Sequence, residues 1–91
     1  MNEVFLIGKI ITNIEFKFII NSKNISIAKF EIEIISNKQT ISLKAYDEIA
    51  DFVYSSFSKN DIVIINGYLD NNGEVITKII SKFKKNKNSI H

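Results

Sequence analysis

The chain has 91 residues, 45% of them hydrophobic, with no Cys, Pro or Trp. A chain of this length makes one domain with a modest core and buries only roughly 60–65% of its unfolded surface, so self-association would help it. Without Cys, disulfides and thiolate metal sites are excluded. Its 12 basic residues are all Lys and face 10 acids, for a net charge of +2. Without Lys82, Lys84, Lys85 and Lys87, eight lysines remain against ten acids, so residues 1–81 carry −2. That body makes a weak general case for a polyanionic partner. Lacking Arg, it also lacks bidentate phosphate forks, and any phosphate contact falls to Lys as a point charge.

Val4 to Ile11 opens the fold and is apolar on both alternating faces, interrupted by Gly8. A strand with one buried face alternates apolar and polar residues. This one is expected to meet something dry on both sides and to bend, or be closely approached, at Gly8. Glu3 and the early break at Gly8-Lys9 do not fit a signal peptide. No run reaches the roughly 18–20 apolar residues of a membrane span, and a cytoplasmic protein is expected. The first strand runs from about Asn2 to Thr12, and Thr12-Asn13 loosens it.

Glu15-Phe16-Lys17-Phe18 alternates with period two and reads as strand. Asn21 to Asn24 reads as a turn. Ile25 to Ile35 is the next strand. Ile25 and Ile27 differ in parity from Phe30, Ile32 and Ile34, which predicts a β-bulge near Ala28-Lys29. Ser36 to Gln39 is a short loop. In the strand Thr40 to Tyr46, Ile41, Leu43 and Ala45 are expected inward, and Thr40, Ser42, Lys44 and Tyr46 outward.

Asp47 is a candidate N-cap for a helix to about Phe57, with Ile49, Val53 and Phe57 in an apolar stripe beside Ala50 and Tyr54. Ile62 to Leu69 and Val75 to Phe83 read as strands joined by a hairpin at Asp70–Glu74. The expected fold is all-β: a five-stranded OB-fold barrel over residues 1–83, with one helix between strands three and four. A different small barrel or an α+β sandwich has the same element order. Residues 84–91 are expected to form a basic, flexible tail.

Enzymatic chemistry lacks its parts. His91 is the lone His and is terminal, so no Ser-His or His-metal constellation can form. Glu31 with Glu33, and Asp47 with Asp51, read as solvated faces or a helix start. Asp70-Asn71-Asn72-Gly73 lacks calcium-loop spacing, and three scattered glycines cannot cradle phosphate. No catalysis, cofactor, metal or small-molecule substrate is expected.

Four stretches resemble the bacterial single-stranded DNA-binding protein family in truncated form. They are Asn2–Ile10, Ile14–Phe18, Ala28–Ile32, and the block Ala45–Val53 followed by Lys59–Leu69. The short loops also resemble the related primosomal replication protein N. The resemblance implies single-stranded DNA binding with little sequence preference, self-association as a homodimer or homotetramer, and a setting in DNA replication and repair. The family's stacking tryptophans are missing here. Its long hairpins are cut to Ser36–Gln39 and Asp70–Glu74, and its acidic partner-recruiting tail is replaced by the basic Lys82–His91.

Sequence-tolerant binding needs rings for bases to stack on, worth roughly 1–3 kcal/mol per base, and cations for phosphates. Tyr46 matches a stacking aromatic of the family, and its structural alternative is a ring lying on the helix start. Tyr68 is the second ring, or an oligomer contact. Phe16 and Phe18 are further candidates that compete with core roles. Lys17, matching a basic position of the family, Lys44, Lys29 and Lys9 are the candidate phosphate contacts, against the alternative of solvated charges. Phe5 and Ile7 are the expected outward apolar face of a subunit contact. A protein-interaction module that has lost polynucleotide binding, or a single-stranded RNA binder, are the other readings.

Overall fold

A computed structural model describes residues 2–21 and 23–83. The elements are β1 (Glu3–Ile10), β2 (Glu15–Ile19), β3 (Ile25–Ile34), β4 (Thr40–Tyr46), α1 (Asp47–Ser56), β5 (Ile62–Leu69) and β6 (Val75–Lys82). Neighbours run β1-β5-β6-β4-β3-β2, and β1 also pairs with β3. That last pairing closes β1, β5, β6, β4 and β3 into a five-stranded ring. β2 lies outside the ring, on β3. Counted around the ring in chain order, α1 falls between the third and fourth strands, as expected.

The break between β1 and β2 lies where Thr12-Asn13 was expected to loosen the chain. It is held to β3 there, since Ile11 N donates to Glu31 O (2.9 Å) and the Glu31 N–H donates to the Thr12 hydroxyl (3.0 Å). The core takes alternate residues from each strand. Ala28, Phe30 and Ile32 of β3, Leu43 and Ala45 of β4, and Val63 and Ile65 of β5 are all buried. Ala50 and Val53 of α1 and the adjoining Phe57 are buried against them, with Ile49 packed at the edge. The expected inward and outward parity of β4 and the helix stripe are therefore both present.

Two local expectations differ from the structure. β3 alternates without interruption, with Ser26, Ala28, Phe30 and Ile32 all inward. Ile25 and Ile27 sit on its outer face, so no bulge is needed at Ala28-Lys29. The irregularity lies instead in the β5–β6 pairing, where Asn66 opposes Ile79 but Gly67 opposes Thr77, leaving Lys78 as the extra residue. Asp47 is the first residue of α1 rather than its cap. Tyr46 holds the cap position without a side-chain hydrogen bond. Asp47 has φ 54°, a left-handed conformation that Asp tolerates better than most residues. Within the chain, the inner face of β1 is the dry one: Ile10 is buried and Val4 and Leu6 pack on the core, while Phe5 on the other face is 62% exposed.

The expected basic tail, 84–91, lies outside the described residues. Among the described residues no helix is long and apolar enough to cross a membrane.

At Gly8, as at Lys9, β1 is paired on both sides, here to Val63 of β5 and Ile34 of β3. A Cβ there would lie 2.7 Å from the Glu33 carbonyl oxygen. That oxygen belongs to the closing pair of strands and cannot retreat without opening the barrel. Gly8→Ala is expected to cost about 1–3 kcal/mol, as overpacking does in a filled interior. Urea unfolding of the variant against the parent measures it.

Candidate nucleic-acid interface

The outer surface of β2, β3 and β4 is set by the parity that buries Ala28, Phe30, Leu43 and Ala45. Registers align it in cross-strand rows. One row is Lys17, Ile27 and Tyr46. The next is Glu15, Lys29 and Lys44. The third pairs Glu31 with Ser42, and the fourth Glu33 with Thr40. Adjacent strands lie about 4.8 Å apart and same-face residues about 7 Å apart along a strand. Tyr46 therefore has Ile27 at its side and lysines in its own row and the next. Tyr46 is 37% exposed, enough to offer part of its ring to a planar ligand.

A depression of about 290 Å³ lies beyond the second row, bordered by Glu15, Lys29, Glu31, Ser42 and Glu74. Glu74 reaches it from the start of β6, because β6 runs parallel to β4 with Leu43 opposite Val75 and Lys44 opposite Ile76. The Lys44 ammonium meets the Glu74 carboxylate at 3.0 Å. That hydrogen bond, chiefly, raises the Lys44 pKa above its ordinary value. The turn before Glu74 is pinned by Asp70, whose carboxylate accepts from the Asn72 N–H (2.8 Å) and the Glu74 N–H (3.0 Å).

Lys17, Lys29, Lys44 and Tyr46 are thus brought together, and the other candidate residues lie elsewhere. Phe16 and Phe18 oppose Ala28 and Ser26, on the other face of β2 from Lys17. Phe16 stacks on Tyr54 of α1 with ring centroids 4.7 Å apart, and Phe18 is exposed on that far side. Lys9 lies on the outer face of β1 between Glu33 and Ile62, about four residues or 13 Å along β3 from the level of Lys29. Tyr68 is on the outer face of β5 between Glu3 and Ile76, two strands round the barrel from Lys44. The Lys78 ammonium stands 5.9 Å from its ring centroid.

Two participants were not singled out from the sequence. Lys78 had no clear local signal, since Val75, Ile76, Thr77 and Ile80 are all buried and fix no single parity. Glu74 had none. Its approach to Lys44 depends on a parallel pairing between segments some thirty positions apart.

Solved structures carry the same architecture. The chain has the OB-fold of bacterial single-stranded DNA-binding proteins. It superposes on the single-stranded DNA-binding protein from Thermus aquaticus with a TM-score of 0.82 at 15% identity, over 93% of this chain and 41% of that one. It thus spans well under half of that protein's length. The second such protein from Mycobacterium smegmatis gives 0.73 at 20% identity, over 89% of this chain and 87% of that one. The small single-stranded DNA-binding protein from Streptomyces coelicolor gives 0.75 at 13% identity, over 89% and 91%. No family model matches the sequence, and no curated protein matches it. At these identities the likeness is one of OB-fold architecture, and the side chains on the β2–β3–β4 face are this chain's own.

Proposed function

We propose that this protein binds single-stranded DNA with little sequence preference, by stacking bases on Tyr46 and placing phosphates against lysines of the same face. One observation carries the reading: an exposed Tyr46 stands in register with Ile27 and Lys17, one row from Lys29, on an open sheet of an OB-fold. The proteins it resembles in fold are named for single-stranded DNA binding, which supports the same ligand. Stacking needs only the π-face that every base has, so it tolerates sequence. Release of counterions by lysine contacts supplies a salt-dependent share of the affinity. No bond is made or broken, and the reading needs no cofactor. Tyr68 with Lys78 offers a second ring and cation further round the barrel. Lys9 and the half-exposed Phe18 are peripheral to the main face.

Self-association belongs to the same proposal. Ile7 and Ile11 use their backbone groups toward β3, through Ile35 N to Ile7 O and Ile11 N to Glu31 O. By alternation, the Glu3 and Phe5 groups point the same way, beyond the reach of the β1–β3 pairing, which covers Gly8 to Ile10. That stretch is an open edge able to extend a sheet into a second copy. Around it lie exposed Phe5, Ile35, Ile79 and Phe83, with a cleft of about 510 Å³ between Phe5, Ile7, Ile35, Ile62 and Phe83. This apolar wall also favours the second reading, an oligomeric protein-interaction module. The β2–β3–β4 face stands clear of it.

Anisotropy of a labelled oligo-dT across a salt series tests the ligand. Binding is expected to weaken linearly in log–log form with salt, and Tyr46→Ala to lower affinity by about 1–3 kcal/mol, the worth of one stacked base. An oligo-rU of equal length tests the RNA alternative, and no binding at tens of micromolar protein would favour the interaction module. Light scattering tests the assembly: the parent is expected to be a dimer or tetramer, and Phe5→Glu to shift it toward monomer by placing a charge on the apolar wall.

A further inference from the structure

The three lysines around Tyr46 are not equivalent. Among the described residues the ion pairs are Lys44 with Glu74, at 3.0 Å, and Lys82 with Asp61, at 3.7 Å. Lys17 and Lys29 are in neither. Both side chains of the Lys44–Glu74 pair are mostly covered, with 20% and 23% exposure, so water screens the contact less than it screens a surface pair. Glu74 is also well anchored. Its N–H is held by the Asp70 carboxylate and its carbonyl oxygen accepts from Asp70 N at 2.8 Å. The next residue, Val75, is buried and registered on Leu43. The Glu74 backbone is thus fixed beside Lys44, so its carboxylate is presented to the ammonium at short range.

We propose that Glu74 acts as a built-in phosphate substitute that holds Lys44 out of the polynucleotide track, so that phosphates are taken by Lys17 and Lys29 on the β2–β3 side of Tyr46. The inference rests on the reading of this face as the DNA-binding surface. Its consequence is directional. The sugar-phosphate backbone follows β2 and β3, where the cations are unpaired by any described carboxylate within bridging distance, and bases lean toward Tyr46. Glu15 of β2, Glu31 of β3 and Glu74 border the depression beyond Lys29, so the track ends there and runs from Lys29 toward Lys17. The protein thereby keeps a weaker and less salt-sensitive grip than its lysine count allows. Removing one carboxylate would convert Lys44 into a third phosphate contact.

The salt slope reads this directly. Oligo-dT affinity is measured against log salt for the parent, Glu74→Gln, Lys44→Gln and the double variant, with Lys17→Gln and Lys29→Gln alongside and thermal melting to confirm folding. Glu74→Gln is expected to tighten binding at low salt roughly three- to fivefold, the scale of one ion pair, and to steepen the log–log slope by about 0.7, the value for one more phosphate on a single strand. Lys44→Gln alone is expected to leave the slope unchanged while weakening binding modestly, because Glu74 is then uncompensated, and to erase the gain when combined with Glu74→Gln. Lys17→Gln and Lys29→Gln should each flatten the slope. A gain that persists in the double variant would mean a general field effect and overturn the assignment to Lys44. Parent-like binding by Glu74→Gln, or a flattened slope in Lys44→Gln alone, would overturn it while leaving DNA binding intact. Binding by neither the parent nor Glu74→Gln would sink the DNA-binding reading together with the inference.

Discussion

The barrel exists because one strand pairs with two partners at once. Around Gly8, β1 bonds to β5 on one side and to β3 on the other. The second pairing requires the Glu33 carbonyl to come closer than any side chain at position 8 would permit. Everything on the outer surface follows from that closure. It fixes the curvature of β3, and the parity of β3 decides that Ile27 and Lys29 face solvent while Ala28 and Phe30 fill the core. β2 and β4 are then registered on β3, which sets Lys17 and Tyr46 across from Ile27 and Lys44 across from Lys29. The candidate interface is thus the outside of the core pattern, and no separate loop assembles it.

Where the structure could be read in the sequence, the signal was local. Alternation in Thr40–Tyr46 placed Tyr46 and Lys44 outward because a strand's period of two leaves no other choice once Leu43 and Ala45 are inside. The four-residue recurrence of Ile49, Val53 and Phe57 marked the helix face. The bulge expected at Ala28-Lys29 is absent because β3 keeps one parity throughout. Ile25 and Ile27 are apolar but outward, and hydrophobicity alone did not distinguish a residue supporting a ring on the outer sheet from one in the core. Phe16 and Phe18 carried the same ambiguity, since an aromatic beside a lysine fits a stacking platform as well as it fits packing on α1. The ion pair at Glu74 was out of reach, because it follows from the parallel β4–β6 pairing.

The charge distribution places this face between two demands. A net-acidic body over residues 1–81 and the carboxylates of Glu15, Glu31 and Glu74 around the depression work against a polyanion, while Lys17, Lys29 and the partly exposed Tyr46 work for it. In a single-strand contact the stacking contribution survives salt and the lysine contribution does not. On the proposed reading, a face with one ring and two lysines outside the ion pairs of the described residues is suited to modest affinity, which joining copies through the proposed β1 edge and the wall of Phe5 and Ile79 would raise.

The measurement that bears most directly on the account is an amide chemical-shift map of the labelled protein titrated with oligo-dT. The account predicts changes concentrated at Lys17, Ile27, Lys29 and Tyr46, on adjacent rows of β2, β3 and β4. Changes confined to the Phe5–Asn66–Ile79 wall, or none at saturating oligonucleotide, would contradict it.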